Sequence, residues 1–154
     1  MPTSEMVEWA TEPVESTDWT TEEDRPATEF PGADLDAEIR QAKKILQLPD
    51  DWDGQGSPRY SAVVLDRATA FLATHLREVW ERFGVSCSIP KIGPGPDGSI
   101  DLHWKRPSWE LLVNIPADGD AMAAFYGDNY GTQKIKGSLD PRKFNLGIAT
   151  WLMN

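Results

Sequence analysis

The chain has 154 residues, with 25 Asp+Glu against 15 Lys+Arg and a formal net charge of −10. That length supports one domain with a real core, the acidic balance argues against general nucleic-acid binding, and a single cysteine, Cys87, excludes an internal disulfide. No apolar run approaches the ~20 residues of a helical membrane span, and the N-terminus lacks both a basic start and an apolar stretch, so a cytoplasmic protein of bacterial type is expected.

The charge is concentrated at one end. Residues 1–30 hold nine acids and one base, whereas the remainder is close to neutral. Residues 1–33 are rich in Glu, Thr and Pro and poor in aliphatics, so they are expected to form an acidic, disordered tail ahead of a single α+β domain over 34–154. Within that tail Glu8-Trp9-Ala10-Thr11-Glu12 recurs as Asp18-Trp19-Thr20-Thr21-Glu22. Both copies read acid–Trp–x–Thr–Glu. An aromatic flanked by acids can fill a pocket while the charges steer it to a basic surface, which makes Trp9, Trp19, Glu12 and Glu22 candidate partner anchors.

Asp34 reads as the N-cap of a first helix with Leu35, Ile39, Ala42 and Leu46 at helical spacing, stopped by Pro49. Residues 48–61 form a loop of Asp, Pro and Gly. Its Asp51-Trp52-Asp53-Gly54 invites a calcium reading. That reading fails because aligning Gly54 with the turn glycine of an EF-hand puts Pro49 and Tyr60 at ligand positions. The aspartates are expected to bond their own backbone, with Trp52 packed down to pin the loop. Neither a metal nor a cofactor is expected.

Ser61 is expected to cap the longest helix, whose stripe of Leu65, Ala68, Leu72, Leu76, Val79 and Phe83 is flanked by Val64, Phe71 and His75, with Gly84 ending it. His75 on the border of that stripe reads as a structural, partly buried histidine. From Val85 the period changes to two, and Val85, Cys87 and Ile89 predict a half-buried strand ending at Pro90.

Pro94-Gly95-Pro96-Asp97-Gly98 is a strong turn signal. Beyond it, Ile100, Leu102 and Trp104 point one way and Asp101, His103 and Lys105 the other. Trp109, Leu111, Val113 and Ile115 alternate in the same manner. Pairing Lys105 with Glu110 places Trp104 against Leu111 and Leu102 against Val113, a self-consistent register. After the turn at 117–120, Met122, Ala124 and Tyr126 are expected on the inner face with Phe125 opposite. Residues 133–139 read as a further strand with Lys134 and Lys136 on one face. Asp140-Pro141 reads as a cap and first helical residue of a closing helix carrying Phe144, Ile148, Trp151 and Leu152. The predicted fold is therefore α+β: an antiparallel meander sheet of about four or five strands covered by one long helix, with a shorter N-terminal helix and a C-terminal helix.

The stretches LPDDWDGQGSPRYSAVVLDRATAFL, PKIGPGPDGSIDLHW and ELLVNIPADG resemble a group of small bacterial proteins. These share a WDGxG-type loop, a helix and a PDGSIxLxW-type hairpin. The likeness covers roughly residues 46–139 and leaves the acidic tail outside it. It implies a setting near mobile or defence genes, such as toxin–antitoxin or antiphage loci, and favours a partner-binding role. It carries over no catalytic residues.

Two functions compete on the residues. The first is a non-catalytic interaction subunit that binds a larger protein with a basic surface, antitoxin-like, inhibitory or assembling, using Trp9, Glu12, Trp19, Glu22, Trp52 and Tyr130. In a variant of it, the acidic tail mimics nucleic acid and shields a partner's DNA-binding surface. The second is a small hydrolase or nuclease in which Asp101 orients His103 on a strand face, with Glu110 and Lys105 adjacent and Asp128 near. The sequence has no nucleophile elbow, zinc-binding histidine set or phosphate-cradling loop, which favours the first function.

Overall fold

The computed structural model describes residues 29–154. The expectations placed on Trp9, Glu12, Trp19 and Glu22 lie outside the described residues.

Packing starts ahead of Asp34. The Phe30 ring lies 6.4 Å from that of Trp80 and under the Arg77 guanidinium, and Pro31 is fully buried. Helix α1 runs Gly32–Ala42, so Asp34 stands in its first turn and not at its cap. The reason is local: the Pro31 carbonyl already accepts the Leu35 N–H, and a carboxylate one turn in still suits the positive end of the helix dipole. A 3-10 turn over Lys43–Gln47 follows, burying Ile45. The tighter winding swings Leu46, expected in the buried stripe, toward solvent.

Helix α2 spans Ala62–Phe83 and buries Val64, Leu65, Ala68, Phe71, Leu72, His75, Leu76 and Val79. Ser61 caps it by accepting the Val63 N–H, and only Phe83 leaves the expected stripe, half exposed at the last residue. Gly84 ends the helix at φ 67°, ψ 21°, the left-handed region that a side chain disfavours. Gly84→Ala is expected to lower stability by about 1 kcal/mol, read from thermal denaturation; an unchanged melting temperature would show the cap to be dispensable.

Residues 85–90 do not belong to the sheet. This corrects the predicted strand at Val85, Cys87 and Ile89. Pro90 has no N–H to give a ladder, so pairing begins immediately after it. The Ser88 carbonyl is satisfied instead by the Trp104 indole at 2.9 Å, and Cys87 is buried in the core. Five strands then follow in spatial order as in sequence: β1 Lys91–Pro94, β2 Ile100–Lys105, β3 Glu110–Ile115, β4 Ala123–Asp128 and β5 Lys134–Leu139, all antiparallel. The β2–β3 register is the expected one, with Lys105 opposite Glu110, Trp104 opposite Leu111 and Leu102 opposite Val113.

On β4 the faces are reversed from expectation. Ala123, Phe125 and Gly127 point inward, and Met122, Ala124 and Tyr126 are exposed. The run Ala121-Met122-Ala123-Ala124-Phe125-Tyr126 is apolar in both registers, so alternation could not choose between them. The choice falls to Gly127. A Cβ there would stand 3.0 Å from Ile135 and 3.1 Å from the Trp151 ring, and only a glycine lets that indole lie on the sheet.

Helix α3 is Leu146–Leu152, shorter than predicted. Asp140 caps a turn, not a helix: its carboxylate accepts the Arg142 backbone and side-chain N–H groups at 2.9 and 3.0 Å. The true N-cap is Asn145, whose side chain accepts the Ile148 N–H. Phe144 stays outside the helix because it reaches back to α2, between His75 and Arg82. The result is two layers. Helix α2 packs on β2 and β3, α1 lies beside β1, and Trp151 of α3 covers Gly127 and Ile135. Ile100, Leu102, Trp104, Leu111, Val113 and Ile115 are sealed between the layers. Among the described residues no helix packs on the opposite face of the sheet.

Candidate functional site

The sheet's open face is organised by its register. One row across it reads Lys91, His103, Leu112, Tyr126 and Lys136, and the next reads Lys105, Glu110, Asp128 and Lys134. Strand alternation alone puts these side chains on one face. The turn after β4 then folds Tyr130 over them. Tyr130 has φ 60°, and its N–H is held by the Asp128 carboxylate at 2.8 Å.

Glu110 is the hub. Its Oε2 meets His103 Nε2 at 2.9 Å, and its Oε1 accepts the Tyr130 hydroxyl at 3.3 Å with Lys105 Nζ at 3.7 Å. The bond from His103, joined by the Lys105 charge and the Tyr130 hydroxyl, holds the Glu110 carboxyl below the usual glutamate range. Lys105 is pushed up by its contacts with Tyr130 and Glu110, a mutual effect at a well-solvated side chain and so of small energetic weight. Tyr126 donates to Asp128 at 3.2 Å, and its hydroxyl is shifted up, by desolvation first and by that carboxylate second.

The carboxylate that meets the imidazole is therefore not that of Asp101. Asp101 accepts from Asn114 at 2.7 Å, and the Asn114 amide also bonds Ser99 at 2.8 Å. Asp101 belongs to a polar clasp near the 94–98 turn, whereas Glu110 reaches His103 diagonally across the strand pair. A carboxylate–imidazole pair of this kind can orient a base, but it lies on an open face with the imidazole edge exposed. Such a face offers solvent access without the water exclusion that strengthens acid–base chemistry.

Trp52 lies elsewhere. Its indole donates to the Tyr60 hydroxyl at 3.2 Å, and that hydroxyl donates to the Gly95 carbonyl at 2.6 Å. The two most distinctive stretches of the sequence, the WDGQG loop and the PDGSI turn, are thus one clasped unit. Asp50, Asp51 and Asp53 close the loop by accepting backbone N–H groups of Arg59, Gly56 and Gln55, at 2.8, 2.6 and 2.9 Å. The carboxylates are spent on the loop itself. Trp52 keeps part of its ring exposed and is a clasp first and a contact surface second.

Tyr126 is the member of this cluster that the sequence alone did not place on the open face, whereas Asp128 is expected near His103 and Glu110. Tyr126 was assigned to the opposite face, and only the burial of Gly127 against Trp151 reveals its true direction. No family model, curated protein or solved structure matches this chain.

Proposed function

We propose that the protein is a non-catalytic interaction subunit that docks on a larger protein through the open face of its sheet, with the acid–Trp repeats at Trp9 and Trp19 as additional anchors. The observation that carries this reading is that face itself: a five-stranded sheet that no helix among the described residues covers, with Tyr126 38% and Tyr130 46% exposed and Lys105, Lys134 and Lys136 on the same face. Tyrosines of this kind combine contact area with a polar tip and are favoured at interface centres. Hydrogen bonds to Asp128 and Glu110 hold both rings in place beforehand, which lowers the ordering cost of binding. The antitoxin-like, inhibitory or assembly role in bacterial defence, implied by the resemblance, is one setting for such a subunit.

The second reading, a small hydrolase or nuclease, has one observation in its favour: the 2.9 Å His103–Glu110 contact, with Lys105 beside it. In that case Glu110, and not Asp101, orients the imidazole.

Affinity capture from the source cell separates the two. The wild type is expected to retain a specific partner that Tyr126→Ser with Tyr130→Asn loses by at least about tenfold, while His103→Ala keeps it. Asn suits the left-handed backbone at Tyr130, so the fold should survive. Unchanged capture by the double variant would end the sheet-face reading. A His103→Ala protein that still binds but is biologically inert would replace it with the catalytic one.

A further inference from the structure

The two edges of the sheet are unequal. At β1 the strand is four residues long, follows Pro90 and ends on Pro94, and its Ile92 N–H is taken by Glu38 of α1 at 2.9 Å. At β5 the strand is six residues long and has no proline. Just ahead of it, the Asn129 N–H donates to the Gln133 carbonyl at 3.0 Å. Bonded and non-bonded pairs alternate along an antiparallel ladder. Counting from that pair, Ile135, Gly137 and Leu139 turn their backbone groups to β4, and Lys134, Lys136 and Ser138 turn theirs outward. Among the described residues no hydrogen bond reaches those outward groups. Beside them, on the helix side of the sheet, runs a groove of about 500 Å³ lined by Phe125, Ile135, Ile148 and Trp151.

We propose that this edge receives an extended segment of a partner protein, added to β5 as a sixth strand, in which acidic residues alternate with aromatic or aliphatic ones. The inference does not rest on the open-face reading. Besides the free backbone groups, two observations fix the chemistry of the occupant.

The first is strand parity. Lys134 and Lys136 face the open side of the sheet, and Ile135 faces the helix side, where the groove lies. A strand laid alongside follows the same alternation. Its residues beside Lys134 and Lys136 meet ammonium groups, and those beside Ile135 and Gly137 enter the groove. Gly137 has no side chain to fill that space, and the Phe125 ring lies 3.0 Å from where its Cβ would stand. Backbone pairing with alternate side chains in a pocket is the pattern of strand addition to a free edge.

The second is charge. Residues 129–154 carry Lys134, Lys136, Arg142 and Lys143 against Asp140 alone, and Asp140 is engaged by Arg142. Asp128, opposite Lys134, is held by the Tyr126 hydroxyl and the Tyr130 N–H. Neither Lys134 nor Lys136 has an ion pair among the described residues. A second β5 paired here would bring its own two lysines onto the same face, so the edge repels its copy and attracts an acidic strand.

Amide hydrogen exchange on the full chain tests this. The probe is a blocked peptide of alternating Glu and Val with one Val replaced by Trp, beside a scrambled peptide of the same composition. At saturation the alternating peptide is expected to slow exchange at the Lys134, Lys136 and Ser138 amides by at least about tenfold. The Ile135 and Gly137 amides, already bonded to β4, should change less. Lys134→Glu with Lys136→Glu, at exposed positions, is expected to weaken binding by at least about tenfold and to transfer it to the same peptide with Lys in place of Glu. No slowing at the three outward amides with millimolar peptide overturns the proposal, as does an equal response to the scrambled peptide. Changes confined to Tyr126 and Tyr130 overturn it and assign the peptide to the open face. Slow exchange at the three amides in the free protein also overturns it. The edge then belongs to a second copy if the slowing grows with protein concentration, and to this chain itself if it does not. The readout lies on β5 of the isolated protein, so its failure is distinguishable from failure of the open-face reading, which is tested at Tyr126 and Tyr130.

Discussion

Trp104→Ala is expected to cost about 3–5 kcal/mol, enough to remove a third or more of the stability of a domain of this size. Trp104 is the largest fully buried side chain, and it does two jobs. Its ring fills the space between β2, β3 and the helix layer, opposite Leu111. Its indole N–H donates to the Ser88 carbonyl at 2.9 Å, tying the 85–90 segment to β2. Denaturant unfolding followed by far-UV circular dichroism measures the loss. Trp104→Phe separates the two jobs, since it keeps most of the apolar ring but removes the hydrogen bond to the part-buried Ser88 carbonyl, at about 0.5–1.5 kcal/mol. A cost for Trp104→Ala below about 1.5 kcal/mol would mean that the site collapses without the ring and is not the centre of the core.

The second large effect is expected at His75. The imidazole is fully buried between the rings of Phe71 and Phe144, with centroids 4.1 and 5.0 Å away. Its Nδ1 lies 2.9 Å from the Phe71 carbonyl, which can only accept, so Nδ1 carries the proton. Its Nε2 then accepts the Asn145 backbone N–H at 2.9 Å. This is the neutral tautomer with both nitrogens used. A second proton on Nε2 would oppose the Asn145 N–H and release the N-cap of α3 together with Phe144. Burial holds the His75 pKa below its usual value. The Phe71 carbonyl and the nearby Glu78, itself paired with Arg82, oppose that shift without reversing it.

The sign follows from linkage. Below about pH 6.5 the unfolded chain binds a proton at this position that the folded chain refuses. Stability contributed by neutral His75 is therefore complete above that pH. It falls as the pH drops toward the lowered folded value, with a slope approaching ~1.4 kcal/mol per pH unit. Glu110 and Asp140, whose folded values are lowered by their partners, add their own loss only below the carboxylate range, so the two windows are distinct. His75→Phe is expected to flatten the profile between pH 6.5 and the carboxylate window, and His75→Ala to cost about 2–4 kcal/mol at neutral pH. An acid profile identical to wild type in His75→Phe would exclude His75 as its source.

The open-face cluster shows where local pattern is and is not sufficient. The pairing of Lys105 with Glu110 could be read from charge and alternation, because a one-residue slip would have put Trp104 and Leu111 on opposite faces of the sheet. The His103–Glu110 contact could not, because it is diagonal and competes with the sequence-adjacent Asp101. Asp101 is withdrawn by Asn114, whose own position depends on the β3 register. Tyr126 was hidden for a different reason: an all-apolar run carries no period.

Sequence alone determined the elements whose information is local. The Ser61 cap and Gly84 stop of α2, the meander of antiparallel strands, the β2–β3 register and the self-closing aspartate loop follow from spacing, turn chemistry and side-chain parity within a few residues. Tertiary structure decided what depends on distant partners. Trp151 against Gly127 chose the face of β4, His75 moved the start of α3 from Asp140 to Asn145, and Tyr60 with Trp52 joined a loop to a turn 35 residues away. The physical reason is common to all three. Each is a choice between locally equivalent arrangements, and only the burial or hydrogen bond of a side chain far along the chain makes one of them lower in free energy.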